Sequence, residues 1–347
     1  SFDITAFLQA GENELVVAVW DPTDSHWQQK GKQVLEPRTI CYTATSGIWQ
    51  TVWLEPVPLD NHIQRLRLLP DLDAESLEIQ VFASSDCEVR LTASSQGEKI
   101  SRSEGAIARH LRLPVLEPRL WCPEDPFLYD LKVEILKDGQ VVDSVDSYFG
   151  MREVSTAVGP SGHKRIFLNG KPVFLHGPLD QGYWPEGGMT PPLDDAMIFD
   201  IEKTLQLGFN MTRKHVKVEP RRWYYHADRL GLIVIQDMVN GGAGMLTDKE
   251  VIMVVALNRH RDDTTEKALR KTRRDSAASR EDFERELLAV IDHLHNSPCI
   301  TIWVPFNESW GQYDAARIAG VVRRRDPSRL VDHASGWQDQ GAGDFNS

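Results

Sequence analysis

The hydrophobic period of this chain changes once, near Gly150, and no other feature limits the possible folds as tightly. Up to Phe149 the apolar residues tend to recur at every second position; beyond Gly150, helical spacing alternates with short apolar runs. Strands that bury one face and helices that alternate with fully apolar strands cannot share one layer, so at least two kinds of core are required. The length of 347 residues agrees, being more than one hydrophobic core usually serves.

Residues 1–57 carry alternation at Leu15, Val17 and Val19 and again at Ile48, Thr51 and Trp53. Turn signals stand between them at Gly11-Glu12-Asn13 and Ser46-Gly47, so β structure is expected. Only a few strands fit into this length, which suits the last part of a larger sandwich. Residues 58–149 are clearer, with Leu77, Ile79 and Val81, then Cys87, Val89 and Leu91, then Tyr129, Leu131, Val133 and Ile135, then Val145, Ser147 and Phe149. Lys137-Asp138-Gly139-Gln140 reads as a hairpin turn, and the whole stretch as an immunoglobulin-like sandwich.

Residues 150–347 alternate helix and strand. Asp194 or Asp195 caps an expected helix with Ile198, Ile201 and Leu205 on one face, ending at Gly208. Pro220 opens a second helix that stops at Gly231; a third carries Phe283, Leu287, Val290 and Leu294, and a fourth Ile318 and Val321. The strands expected between them are Val173–His176, Phe209–Arg213, Leu232–Ile235, Ile300–Val304 and Leu330–His333. Five strands in sequence with helices describe an incomplete (β/α)8 barrel, since the full fold needs about 250 residues. The chain is therefore expected to begin and end inside larger domains. The stretch Asn240–Ser279 has weak periodicity and reads as a long βα loop or a damaged stretch.

A net charge of −12 opposes a phosphate backbone, which excludes nucleic acid as the main partner and suits a neutral ligand such as a sugar. The cluster Arg270, Lys271, Arg273 and Arg274 reads as a solvated face, with Glu266, Asp275 and Glu281 nearby. Apolar runs fall far short of the roughly 20 residues that cross a bilayer, so no membrane partner is expected. Cys41, Cys87, Cys122 and Cys299 are too scattered for a disulfide framework or a zinc site, and no motif points to a cofactor or a metal.

In a barrel of this kind the chemistry lies at the C-terminal ends of the strands. That rule selects His176 and Asp180, Arg213 and His215, Gln236 and Asp237, Asn307 and Glu308, and His333 with Trp337. Glu308 closes the run Ile302-Trp303-Val304-Pro305-Phe306-Asn307-Glu308, which sets a carboxyl group at the barrel mouth. Such a group can protonate a glycosidic oxygen, and Asn307 beside it can bind a sugar hydroxyl. The same Glu308 could instead pair with Arg213 and tie two strands together. Trp184, Trp310 and Trp337 can stack on a pyranose face or pack in the rim. His293 and His295, two apart on a predicted helix, face different directions and do not make a metal site.

Four motifs then resemble glycoside hydrolase family 2, which holds β-galactosidases, β-glucuronidases and β-mannosidases. Ser46-Gly47-Ile48-Trp49-Gln50-Thr51-Val52-Trp53-Leu54 is similar to the last strands of its sugar-binding jelly roll. Leu120-Trp121-Cys122-Pro123-Glu124-Asp125-Pro126-Phe127-Leu128-Tyr129 with Phe149-Gly150-Met151-Arg152 resembles the end of its immunoglobulin-like domain. Phe167-Leu168-Asn169-Gly170-Lys171-Pro172 and Gly208-Phe209-Asn210-Met211-Thr212-Arg213 resemble the barrel's entrance and second strand. Asn307-Glu308-Ser309 is similar to the family's Asn-Glu motif on the fourth strand, where Glu is the general acid/base.

The resemblance implies a retaining β-glycosidase, β-galactosidase-like, acting on a carbohydrate substrate. Glu308 is its expected acid/base, and Asn307, Arg213, Asp180, His215, Trp310, His333 and Trp337 are its expected substrate contacts. The family nucleophile lies on the seventh strand, which places it beyond Ser347. Two departures bear on the substrate: Arg213-Lys214-His215-Val216 shortens the Arg-x-x-His spacing of many galactosidases, and Gln236-Asp237-Met238 stands where many members have Asp-Glu. A homo-oligomer of the full-length parent is compatible with this reading. The rival reading is a non-catalytic carbohydrate-binding or scaffold protein with a vestigial barrel.

Overall fold

The computed structural model describes residues 2–107, 110–159, 162–242 and 262–345. From Phe2 to Val57 β structure is limited to two short strands, β1 (Gln33–Val34) and β2 (Tyr42–Thr43), which run parallel. The alternating segments at 15–19 and 48–53 belong to no strand and, apart from the half-buried Trp49, their apolar side chains are exposed, contrary to the expected β structure. A period-2 stripe stabilises a strand only beside a hydrogen-bonded neighbour and under a covering face, and no described residue supplies either. The middle of the segment instead lies on the C-terminal half: the N–H groups of Lys30 and Gly31 both donate to Asn240 O at 2.9 Å, and Trp27 Nε1 donates to Asp282 Oδ2 at 2.9 Å.

Seven strands follow: β3 (Ile63–Asp71), β4 (Ser76–Ala83), β5 (Glu88–Ser95), β6 (Glu98–Ala106), β7 (Leu111–Pro114), β8 (Tyr129–Lys137) and β9 (Gln140–Phe149). They form two antiparallel sheets ordered β3-β4-β7 and β6-β5-β8-β9, an immunoglobulin-like arrangement. The alternation sets the inner face: Val89, Leu91 and Ala93 pair with Ile135, Val133 and Leu131, all buried, and pack with Leu77, Ile79 and Leu113. The β8–β9 turn has Asp138 and Gly139 at φ 53° and 76°, the left-handed pair that a two-residue hairpin with right-twisted strands requires.

A small antiparallel sheet, β10 (Val154–Val158), β11 (Lys164–Leu168) and β12 (Lys171–Pro172), leads into the barrel. Among the described residues its five parallel strands stand in chain order: β13 (Leu179–Asp180), β14 (Met211–Lys214), β15 (Ile233–Asp237), β16 (Ile300–Val304) and β17 (Leu330–Val331). Helices α1 (Asp194–Gln206), α2 (Arg221–Leu230), α3 (Glu266–Lys271), α4 (Ala277–Leu294) and α5 (Ala315–Arg325) connect them. β16 is buried at every position, as expected of a strand covered on both faces. The first barrel strand is Leu179–Asp180 and not Val173–His176. Upstream, the chain passes β14 closely at Gly177, where an added Cβ would stand 1.7 Å from Met211 O. Asp194 and Asp195 occupy the first turn of α1 and Leu193 is the cap, without a side-chain hydrogen bond.

Of the expected loop Asn240–Ser279, residues 243–261 lie outside the described residues, and the remainder includes α3 and the start of α4. Arg274 departs from the solvated cluster: it is fully buried, bonded to Gly311 O, Ser279 Oγ and Gln29 Oε1. Among the described residues no helix is long and apolar enough to cross a membrane.

The sandwich and barrel are joined through the motifs that flank them. Trp121 Nε1 donates to Asp228 O at 2.7 Å and Tyr148 OH to Asp228 Oδ2 at 2.8 Å. Arg152 donates to the carbonyls of Pro298, Ile300 and Ser328 at 2.9–3.0 Å. Gly150 allows this contact, because a Cβ there would meet Pro298 Cβ at 3.0 Å.

Candidate active site

Arg213 leaves the end of β14 and joins three neighbouring strand ends. Its guanidinium donates to both oxygens of Asp237 at the end of β15 (2.8 and 3.0 Å), to Asn307 Oδ1 after β16 (2.8 Å) and to Ser335 Oγ after β17 (2.6 Å). Asp237 is wholly buried, so the two-pronged pair compensates its charge where water cannot. Burial on its own would push the Arg213 guanidinium down; Asp237 more than offsets that and holds it above its usual range.

Glu308 is presented by an unusual turn. Glu308 and Ser309 both lie in the left-handed region, at φ 50° and 58°, a conformation that costs about 1–3 kcal/mol per non-glycine residue and persists only where surroundings enforce it. Here Asn307 bridges to Ser335 and the Glu308 N–H donates to Ser335 O at 2.7 Å. The Asn307 amide reaches Glu308 Oε2 at 3.4 Å. The carboxyl group is thus oriented by Asn307, which Arg213 orients in turn, and Arg213 is tied to Asp237 and not to Glu308.

Other expected contacts surround this cluster. His215 Nδ1 lies 3.2 Å from Asp237 Oδ2, buried behind the pair. Trp337 is half-buried and follows Gly336, at which a Cβ would approach Glu308 Cγ to 3.3 Å. Trp310 closes the Glu308 turn through its N–H to Asn307 O at 2.9 Å, and its ring is largely buried.

Asp180 and His333 are directed elsewhere. Asp180 binds Lys214 Nζ at 2.5 Å, in a buried network with Glu219 and Lys217 on the opposite side of β14 from Arg213. Burial works to raise its carboxyl group, but Lys214 prevails and holds it below the usual range. Asp180 and Trp184 line a cavity of about 740 Å³ that Glu308 does not border. His333 Nε2 accepts the Gln340 N–H at 2.9 Å, with Asp339 Oδ1 at 3.1 Å, so the ring is held by its own loop. Burial keeps it below the ordinary histidine range, opposed in part by Asp339.

One member of the cluster escapes the strand-end rule. Ser335 lies just past β17, close enough to His333 that a wider window would include it. Among the described residues no group of three or more His, Cys, Asp and Glu is placed to hold a metal.

The model for glycosyl hydrolases family 2 matches residues 61–152, and the model for that family's TIM barrel domain matches residues 162–345. The chain belongs to glycosyl hydrolase family 2. Its sandwich and parallel sheet are the family's two domains in family order. Among family 2 relatives, a β-galactosidase of Klebsiella pneumoniae is 26% identical over 370 residues, covering 99% of this chain and 32% of the relative. A β-galactosidase of Psychromonas ingrahamii is likewise 26% identical over 368 residues, with the same coverage. The chain spans about a third of the length of these relatives. A β-D-glucuronidase structure from Dictyoglomus thermophilum superposes with a TM-score of 0.65 at 16% identity, covering 82% of this chain and 46% of that one. A β-glycosidase structure from Bacteroides vulgatus gives 0.62 at 19% identity, covering 78% and 33%.

Proposed function

We propose that the full-length protein is a retaining β-glycosidase in which Glu308 is the general acid/base. The observation that carries the proposal is the Asn307-Glu308 turn at the C-terminal end of β16. Its strained backbone is fixed by Ser335, and its amide is held by Arg213. In the first step the Glu308 carboxyl group gives its proton to the leaving oxygen; in the second, as carboxylate, it takes a proton from the attacking water. A second carboxylate, roughly 5–5.5 Å across the sugar, forms and releases the glycosyl ester; in this proposal it comes from beyond Ser347. Asn307 contacts a sugar hydroxyl and Trp337 covers an apolar ring face. The relatives named as β-galactosidases favour a galactoside-like substrate.

The test replaces Glu308 by Gln in the full-length protein and compares aryl β-glycosides. Hydrolysis should fall most, on the order of 10²–10⁴-fold, for poor leaving groups, where protonation matters most. Azide should partly restore turnover of activated aryl glycosides, giving the glycosyl azide. Equal loss with every leaving group and no effect of azide would exclude this role. Sugar binding by an unmodified full-length protein that hydrolyses none of these substrates would favour the non-catalytic reading.

A further inference from the structure

Among the described residues three arginines are buried: Arg152, Arg274 and Arg329. Two have plain structural duties, since Arg152 holds the sandwich to the barrel and Arg329 pairs with Asp326 at 2.7 Å. Arg274, with no exposed surface, donates only to neutral oxygens among the described residues. Its Nε reaches Gly311 O at 3.2 Å, its Nη1 reaches Ser279 O and Oγ at 3.2 and 2.9 Å, and its Nη2 reaches Gln29 Oε1 at 2.9 Å. Burial pushes this guanidinium down to about 10. A charge buried without a carboxylate partner is costly, and an apolar side chain of similar volume would avoid that cost. The compensating gain lies in what the acceptors are.

Those acceptors belong to three segments. Gly311 ends the turn that presents Glu308, in which Glu308, Ser309 and Gly311 all lie in the left-handed region and the Trp310 N–H closes on Asn307 O at 2.9 Å. Such a turn keeps its shape only while its surroundings enforce it. Ser335 holds its start by accepting the Glu308 N–H, and at its end Gly311 O takes the Arg274 Nε–H. Ser279 belongs to α4, and Gln29 to the N-terminal segment. That segment is stacked on the turn through two glycines. A Cβ on Gly311 would stand 2.6 Å from Gly241 O, a Cβ on Gly241 would stand 2.6 Å from Gln28 O, and Gln29 and Gly241 form an antiparallel bridge. The N-terminal segment, the loop after β15 and the Glu308 turn are thus three backbones in contact, and Arg274 bonds the outer two.

We infer that Arg274 is a positioning residue for Glu308, which it holds from the far end of the turn by tying Gly311 to Gln29 of the N-terminal segment. The inference rests on the glycosidase reading only for its consequence in catalysis; the consequence for the turn follows from the contacts alone. Loss of the tie should let the carboxyl group drift from the leaving oxygen, and a misplacement of about 1 Å is enough to cost on the order of 10²-fold.

The experiment uses the full-length protein and its Arg274→Met and Gln29→Met variants. Arg274→Met removes the tie together with the buried charge. Gln29→Met removes only the acceptor in the N-terminal segment and leaves every barrel residue in place, so it decides the matter if the first variant does not fold. Hydrolysis is compared for aryl β-glycosides with poor and with activated leaving groups, and hydrogen exchange is followed at the Glu308 and Trp310 amides. Both variants should lose about tenfold or more kcat/KM with poor leaving groups beyond any loss with activated ones, since the poor ones depend most on the proton of Glu308. Protection of the Glu308 and Trp310 amides should fall about tenfold or more while the amides of β8 in the sandwich keep theirs, as local opening of the turn requires. A role in stability alone would slow both substrate types equally and expose the β8 amides along with the turn, and that result overturns the inference. Wild-type leaving-group dependence or wild-type protection of the turn in folded variants overturns it as well. If Glu308→Gln itself shows no leaving-group dependence, the acid/base reading fails separately, and exchange at the Glu308 and Trp310 amides still decides whether Arg274 holds the turn.

Discussion

The Arg213 guanidinium links three strand ends, so its removal should be felt in two ways. Arg213→Ala leaves Asp237 buried and ionised without its partner, which typically costs about 3–5 kcal/mol, and urea unfolding of the full-length protein should show a loss of that order. Arg213→Lys retains the charge but not the fork. It should keep most of the stability while releasing Asn307 and Ser335, lowering kcat/KM by roughly 10- to 100-fold through misplacement of Glu308. Unchanged kcat/KM in Arg213→Lys would mean that Asn307 does not need this support. At this scale the sequence made most of the cluster legible. Glu308, Asn307, Arg213 and Asp237 all stand at the ends of apolar strands, where a positional rule reaches them. The docking of the 27–34 segment was not legible, because it depends on hydrogen bonds to Asn240 and Gly242, and no local pattern encodes those. Asp180 obeyed the same positional rule and still turned to the other face, since successive strand residues alternate and its partner is Lys214 rather than Arg213.

Elements were legible where the chain punctuates them. Pro220 precedes α2 and Gly231 ends it at φ 84°, both as the sequence indicates, and the Asp138-Gly139 hairpin follows directly from residue type. The first barrel strand was misplaced because Val173-Phe174-Leu175 is an apolar run as strand-like as any other. What decides the register is the chain beside it. Asn210 holds the His176 N–H and the Phe174 carbonyl through its side chain, and Pro178 O accepts the Arg213 N–H. Gly177 is the residue that lets the two backbones approach this closely. Gly177→Ala should therefore displace the 174–180 segment from β14, costing about 3 kcal/mol by overpacking, with the backbone as the atom that must move. Chemical denaturation would show the loss, and protection of the Arg213 amide from hydrogen exchange should fall with it. A stability within 0.5 kcal/mol of wild type, on the scale of ordinary surface substitutions, would show that β13 is not anchored at this point.

At the scale of the whole molecule, the sandwich and barrel meet on a buried carboxyl group. Asp228 on α2 accepts from Tyr148 OH of the sandwich and from the Cys299 N–H before β16, while its carbonyl takes the Trp121 indole. Burial raises this carboxyl group to about 6, against the opposing hydrogen bonds from Cys299 and Tyr148. The direction of the pH effect follows from linkage. The unfolded chain, with an ordinary Asp near 3.9, has released its proton by pH 5 while the folded protein still binds it, so stability from this group is complete below about pH 4 and is lost as pH rises through about 6. The full loss is on the order of 3 kcal/mol for a shift of this size. Asp228→Asn removes the titration and keeps an oxygen for the Cys299 N–H. Between pH 4 and pH 7 the wild type should therefore lose on the order of 3 kcal/mol relative to the variant, read as the difference between their denaturation midpoints at the two pH values. Parallel pH dependences would show that Asp228 is ionised in the folded interface and that Tyr148 and Cys299 stabilise the charge fully. The latch would then be a permanent hydrogen-bonded ion, insensitive to acid over that range.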